Sequence, residues 1–510
     1  MRIAIIGAGH NGLVCAAYIA RNGHEVVVYE RNDRVGGLCV TEELFPGFKV
    51  STLATHFGAL RKEIMDDLTL QAFGLKAYLN DPASVVMFSG HDEHHFVRAR
   101  SGSCTFNFDV SEEDNLAWTR FWAEISQAAA ILSPFLLRTG VTQYELGEEI
   151  RAAGLKSLAE KLFDGCLSDY VEERFKSTYL KAAICSTVFE VPTKKGTVFD
   201  CLYYATGQAC GIPGAVGLVR GGMGSVTHSL RLVCQSQGVE IRTSTAVKRV
   251  LIEGTRAWGV ELGDGTEERF DAVIANADPR TTFTRLVDEK YLPEALKKSL
   301  RAPFSPVSSG KVHFALSSVP KIKVLDGIPN SYTADIAIIP DFERVVSSAD
   351  QLLKGEMPDD LILSVNFPSL TDETVAPRGK HLMSIDVHHV PIACGSEPWN
   401  DSNSNVMLAK VMATLERFIP DLAKHIAGTA ILTPGHIQDR FGVASAHCDH
   451  LPMTSDYLVE KRRLPSCGQH TTPIEKLYLC GAGTFPGGGV SGAPGYNCAR
   501  IFGSIRKQPK

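Results

Sequence analysis

Arg2-Ile3-Ala4-Ile5-Ile6-Gly7-Ala8-Gly9-His10-Asn11-Gly12-Leu13-Val14-Cys15-Ala16-Ala17-Tyr18-Ile19-Ala20 decides the fold. The first five residues form a continuous apolar run, as expected of a strand covered on both faces. A GxGxxG follows directly, then an apolar helical stretch that Asn22-Gly23 ends. Glu25-Val26-Val27-Val28-Tyr29-Glu30 reads as a second strand with an acid at its end. Each part has a mechanical reason. Gly7 permits the tight turn, Gly9 lets backbone approach a pyrophosphate, and Gly12 lets the helix pack close to the sheet. The helix N-terminus, with His10 and Asn11, offers free N–H groups to phosphate. Glu30 suits the two ribose hydroxyls and disfavours a 2′-phosphate, so the expected ligand is a dinucleotide other than NADP.

Working outward, Glu30 continues into Arg31-Asn32-Asp33-Arg34-Val35-Gly36-Gly37-Leu38. A glycine pair beside arginines suits a loop pressed along the rest of a flavin dinucleotide, because glycine removes side-chain bulk. A second strand, Gly-rich loop and helix start recur near the other end: Lys476-Leu477-Tyr478-Leu479-Cys480, then Gly481-Ala482-Gly483-Thr484-Phe485-Pro486-Gly487-Gly488-Gly489-Val490, then Tyr496 to Phe502. A flavin has two ends to hold, and a second helix start can serve the other one.

These segments resemble the FAD-dependent phytoene desaturase and carotene ketolase-like oxidoreductases. That group includes the pyridine nucleotide-disulfide oxidoreductase domain protein 2 type and the retinol saturases, and more distantly the flavin amine oxidases. Between the two anchors, Val219 to Val226 resembles the family's return into its FAD domain. Gly238 to Ile241 with Thr245-Ala246-Val247 resembles the strand whose valine backbone meets the adenine, and Asp271 to Ala277 the strand that ends under the cofactor. The resemblance implies an α/β fold: a Rossmann-like FAD-binding domain of the glutathione-reductase type, with a second α+β substrate domain built from insertions. The implied pieces are 1–75, 205–290 and 435–510 for FAD, and 76–204 and 291–434 for the substrate or cap domain. It also implies noncovalent FAD on Gly7, Gly9, His10, Asn11, Gly12, Glu30, Arg31, Arg34, Gly36, Gly37, Leu38, Val247, Gly481, Gly483, Gly489 and Val490. The chain departs from the family at Ser51 to Phe57 and at Gly442 to Pro452. Both stretches are expected near the flavin ring, so the substrate is left open.

The remaining features bound the function. The chain has 510 residues, 44% hydrophobic and 21% charged, enough for more than one core at about 150 residues per domain. Lys+Arg of 52 against Asp+Glu of 57 argues against a nucleic-acid partner. No apolar run reaches the roughly 18 residues of a membrane span, and no leader is read before the first strand, so a cytoplasmic location is expected, with peripheral membrane contact and oligomeric state left open. The thirteen cysteines contain no CxxC, which argues against a redox pair beside the flavin and against a metal site. His91-Asp92-Glu93-His94-His95 reads as a solvated hairpin turn. Ser111-Glu112-Glu113-Asp114 caps a helix through Trp118 and Phe121. Strands are expected at 310–316, 361–365 and 382–387, with His388-His389 alternating in and out.

His56, His447 and His450 are the candidate catalytic residues, as a base near the ring or as pocket-lining groups. The first reading is an FAD-dependent oxidoreductase that dehydrogenates or oxidises an apolar or conjugated small molecule by hydride transfer. Two alternatives stand beside it. One is an amine or amino-acid oxidase, with Asp449 and Tyr496 serving a cationic substrate; the other is a flavin-carrying interaction protein with little turnover.

Overall fold

A computed structural model describes residues 1–91 and 93–503. Asp92 of the His91–His95 turn and the last seven residues of the expected 435–510 piece lie outside the described residues.

The N-terminal run folds as expected. Strand Arg2–Ile6 pairs in parallel with Glu25–Tyr29 on one side and Ala272–Ala275 on the other. Glu240–Arg242 and Leu477–Leu479 complete a five-stranded parallel sheet, so its middle strand is the first in the chain. Ile3, Ala4 and Ile5 are fully buried, as a strand covered on both faces requires. Helix His10–Arg21 packs on one face against helices Gly224–Ser236 and Ala493–Ala499. The expected 238–247 strand is two elements. Glu240–Arg242 joins the parallel sheet, whereas Val247–Glu253 starts a separate three-stranded antiparallel sheet with Arg256–Leu262 and Glu267–Arg269. Residues 243–246 between them form the corner.

The second layer is a mixed eight-stranded sheet. Its order is Ile426–Leu432, Val307–Leu316, His381–Pro391, Ile362–Asn366, Asp335–Ile339, Ser84–Phe88, His95–Arg98 and Cys104–Phe106. Strand alternation gives this sheet two unlike faces. Val85, Met87, Ile336, Ile338, Leu363, Val365, Met383 and Ile385 pack with Met407, Val411 and Leu415 of helix Asp401–Glu416. The opposite face turns toward the parallel sheet. Helix Glu112–Phe135, whose Ser111 cap accepts from the Asp114 amide, lies over that face. The alternation fails at the end of the strand, where a register shift lies between the Gly310–Val387 and Ser308–Val390 pairings. His389 there has φ 54 and is buried, with its Nε2 at 3.3 Å from the Val188 carbonyl.

Candidate active site

The two sheets enclose a cavity of about 1150 Å³. Its dinucleotide end is built from the first βαβ unit. Gly7 has φ +101, a conformation glycine adopts freely. A Cβ on Gly12 would press on the Gly7 carbonyl and come within 2.9 Å of Asn276 Nδ2, so only glycine lets this helix sit so close to the strand ends. Gly9 differs: its Cβ position meets the Asn276 Nδ2 at 3.0 Å and the Gly36 carbonyl at 4.0 Å, and the residue lines the cavity. Glu30 accepts from the Ala8 amide at 2.9 Å and the Asn32 amide at 3.0 Å, which fixes its carboxylate beside the turn. Several buried polar atoms here lack a protein partner: His10 Nε2, Asn11 Oδ1 and His450 Nδ1. All three residues line the cavity. Buried polar groups are almost always satisfied, so this set fits a large polar ligand, and a flavin dinucleotide matches it.

Of the residues expected to hold the cofactor, Gly7, Gly9, His10, Asn11, Glu30, Arg31, Gly36, Gly37, Leu38, Val247, Gly489 and Val490 line the cavity. Gly12, Arg34, Gly481 and Gly483 do not. Gly481 and Gly483 lie where a Cβ would crowd the Asn276 carbonyl and Pro279, so they serve close packing between strand ends. Arg34 is half-exposed and forms a two-bond pair with the neighbouring Asp33. Arg31 donates to the Asp439 and Arg440 carbonyls, at 3.1 and 2.6 Å, at the end of helix Pro434–Phe441. Its charge is thereby set against a helix C-terminus.

The candidate histidines separate. His56 and His450 line the large cavity; His447 does not. His447 Nε2 lies 2.8 Å from Glu190 Oε1, and its Nδ1 accepts from the Asp449 amide at 3.1 Å. Both ring nitrogens are taken, and both side chains of the pair are almost fully buried. That engagement also leaves His447 without a free ligand atom, although it sits with Cys448 and Asp449 in a group of metal-type side chains within 4.8 Å. Asp449 accepts from the Tyr204 hydroxyl at 2.9 Å and the Gly489 amide at 3.1 Å. Tyr496, expected beside Asp449, instead stacks edge-on against Tyr18 away from the cavity. The Asp449 partner in the fold is Tyr204.

The eight-stranded sheet supplies a wall that the sequence did not announce. Lys311, Asp386, Ser364, Ala337, Val86 and Phe96 are directly opposed on six successive strands, and all face the cavity. Five strand spacings of about 4.8 Å make this row roughly 24 Å long. It runs from a charged end to an aromatic one. Lys311 is buried, with Nζ 2.7 Å from Asp386 Oδ1 and 2.7 Å from the Leu53 carbonyl, and it also bonds Thr55. Next to it, His56 Nε2 lies 3.5 Å from Asp335 Oδ1. Burial opposes a charge on His56, but Asp335 outweighs it and raises the pKa above the usual histidine value. At the other end Phe96, Trp118, Trp122 and Ile125 form an apolar wall. Only cross-strand register shows this row. Lys311 and Asp386 were in strands the sequence indicated, but no motif marked them.

Parallel strands, a glycine-cradled βαβ turn and an adjoining long cavity define a dinucleotide-dependent oxidoreductase of the flavin class. Residues 12–494 match the family model described as flavin containing amine oxidoreductase. The chain belongs to that family and is a flavin-containing oxidoreductase acting on small molecules. It is 29% identical to the mouse pyridine nucleotide-disulfide oxidoreductase domain-containing protein 2, over 98% of this chain and 92% of that one. It is 24% identical to the 4,4'-diapophytoene desaturase (4,4'-diaponeurosporene-forming) of Staphylococcus haemolyticus, over 96% of each chain. The fold is shared with cyclohexylamine oxidase from Brevibacterium oxydans, at TM-score 0.61 and 14% identity over 98% of each chain. The family resemblance drawn from the glycine loops therefore holds. No helix among the described residues is long and apolar enough to cross a membrane.

Proposed function

We propose that the protein binds FAD noncovalently and dehydrogenates or oxidises an elongated, largely apolar organic substrate. The observation that carries this reading is the continuity of one cavity from the Gly7–Gly12 turn to the Trp118 and Trp122 wall. Bound there, the flavin supplies a hydride acceptor. The chain's own residues do the rest. Gly7, Gly9, Gly36 and Gly37 admit the cofactor backbone, and Glu30 presents its carboxylate to the ribose. The aromatic wall excludes water and holds the substrate chain, which orients the reacting carbon. His450 is kept below the usual histidine pKa by burial. It is therefore neutral at pH 7, and its imidazole, on the cavity lining, can take the proton that a dehydrogenation releases.

A cationic amine substrate is less well served. The carboxylates facing the middle of the cavity, Asp335 and Asp386, already pair with His56 and Lys311, and Asp449, which also lines the cavity, is engaged by the Tyr204 hydroxyl and the Gly489 amide. A reducing compartment suits the thirteen unpaired cysteines, and an apolar substrate would be drawn from a membrane surface by peripheral contact. Anaerobic mixing of flavin-loaded protein with a panel of polyenes, amines and acyl compounds tests the reading. Bleaching of the flavin by an apolar or conjugated member supports it; bleaching by amines alone would replace it with the amine-oxidase reading.

A further inference from the structure

Beside the row that ends at Phe96 runs a second one, two residues along each strand. Asn366, Asp335, Ser84 and Arg98 are opposed on successive strands and also face the cavity. This row is polar throughout. Its near-flavin end is charge-balanced: Asp335 pairs with His56 and accepts from Asn366 at 3.1 Å. Its far end is not. Among the described residues no carboxylate lies within ion-pair distance of the Arg98 or Arg100 guanidinium, although both residues line the cavity. Arg98 is half-buried and lies over the Trp122 ring at 5.7 Å. A cation on an aromatic face keeps its charge and leaves its outward N–H groups free. The apolar end of the cavity thus terminates in two guanidinium groups without an ion-pair partner among the described residues; Ser84 is opposed to Arg98, and the Asp81 carboxylate accepts from the Arg100 backbone amide at 3.0 Å.

We infer that the substrate of this site is a long-chain amphiphile with an anionic head. Arg98 and Arg100 hold the carboxylate or phosphate, the chain lies along Phe96, Trp118 and Trp122, and the reacting carbon sits near Lys311 and His450. This rests on the oxidoreductase reading above and adds the substrate's head group to it. Arginine suits this task because its planar fork meets carboxylate and phosphate oxygens in pairs. The roughly 24 Å row separates head from reacting carbon, so a head held at Arg98 sets which part of the chain meets the flavin. A cationic head would instead be repelled from the far end.

The test uses the flavin-loaded protein and four probes of one chain: oleate, oleyl phosphate, oleylamine and methyl oleate, each below its aggregation threshold. Trp118 and Trp122 are two of the four tryptophans, so quenching of intrinsic fluorescence reads binding at this wall. Oleate or oleyl phosphate should bind at least tenfold tighter than oleylamine and methyl oleate, and the tighter of the two identifies the head. Arg98→Gln and the exposed Arg100→Gln should each remove most of that preference while leaving methyl oleate binding within twofold; Arg98→Lys should retain part of it. Equal binding of all four probes, or a preference that survives both substitutions, overturns the inference. Flavin absorbance recorded on every sample keeps the two claims apart. Colourless folded protein contradicts the oxidoreductase reading itself, whereas yellow protein without head-group preference contradicts only the anionic amphiphile.

Discussion

Lys311 and Asp386 face each other across neighbouring antiparallel strands, Nζ to Oδ1 2.7 Å, on the cavity wall. The lysine is 1% exposed and the aspartate 22%. Burial alone would push the Asp386 carboxyl up; Lys311 and then His56 outweigh it and hold it below the usual aspartate value. A buried pair of this kind is costly to break from one side, because the remaining charge loses its partner. Lys311→Met should therefore lower stability at pH 7 by about 3 kcal/mol. Lys311→Met with Asp386→Leu should recover most of that loss. Chemical denaturation of the two variants checks it. The stabilisation belongs to an acid with a lowered folded-state pKa, so in the wild type it is present above the unfolded value near 4 and lost as pH falls through the folded one.

The two glycines of the first turn should behave differently. Gly12→Ala places its Cβ against backbone and should destabilise the fold by about 1–3 kcal/mol, as overpacking does. Gly9→Val brings its Cβ against the Asn276 side chain rather than against backbone, so it should lower the melting temperature of apoprotein less than Gly12→Ala does while abolishing flavin content. Melting curves and flavin absorbance on both variants decide this; equal flavin retention in Gly9→Val would move the phosphates elsewhere.

His447 and His450 should part company as well. His447→Ala strips Glu190, 1% exposed, of its imidazole partner and leaves its carboxylate, among the described residues, the Ser305 hydroxyl at 3.2 Å. A loss of about 3 kcal/mol of stability follows from the stranded carboxylate, with flavin reduction per folded molecule unchanged. His450→Ala should reduce the rate of substrate-driven flavin reduction at least tenfold with flavin content intact. Stopped-flow traces beside melting curves separate the two, and the reverse pattern would exchange their roles.

His56 gives a pH signature. Its folded-state pKa is raised by Asp335 against burial, so its contribution is fully present below the unfolded value near 6.5 and is lost as pH rises through the folded one. The melting-temperature gap between wild type and His56→Gln should therefore be wider at pH 6 than at pH 8.5. A gap that does not narrow with pH would show that the His56 to Asp335 contact carries no charge.

Local signals made the first turn legible. Gly7, Gly12, Glu30 and the flanking apolar strands report their geometry within thirty residues, and the last glycine loop repeats the logic. The central strands of the second sheet were legible too, from their alternation. The rest depended on partners far away in sequence. Glu190 and His447 are 257 residues apart, and nothing near either names the other. Tyr204 reaches Asp449 from helix Thr197–Ala205, which carries no motif that points to it. Arg34 lies beside the glycine pair in sequence, yet the neighbouring Asp33 takes it. The row from Lys311 to Phe96 exists only once register is set, because a slip of one residue would turn every member to the other face.

The flavin content of the purified protein tests the central claim most directly. Acid precipitation should release FAD into the supernatant, close to one per chain and unmodified, from a yellow protein whose colour is lost in Gly9→Val. A folded, colourless protein that takes up no added FAD, or flavin that stays with the precipitate, would contradict a noncovalent dinucleotide cradled between Gly7, Glu30 and Gly489.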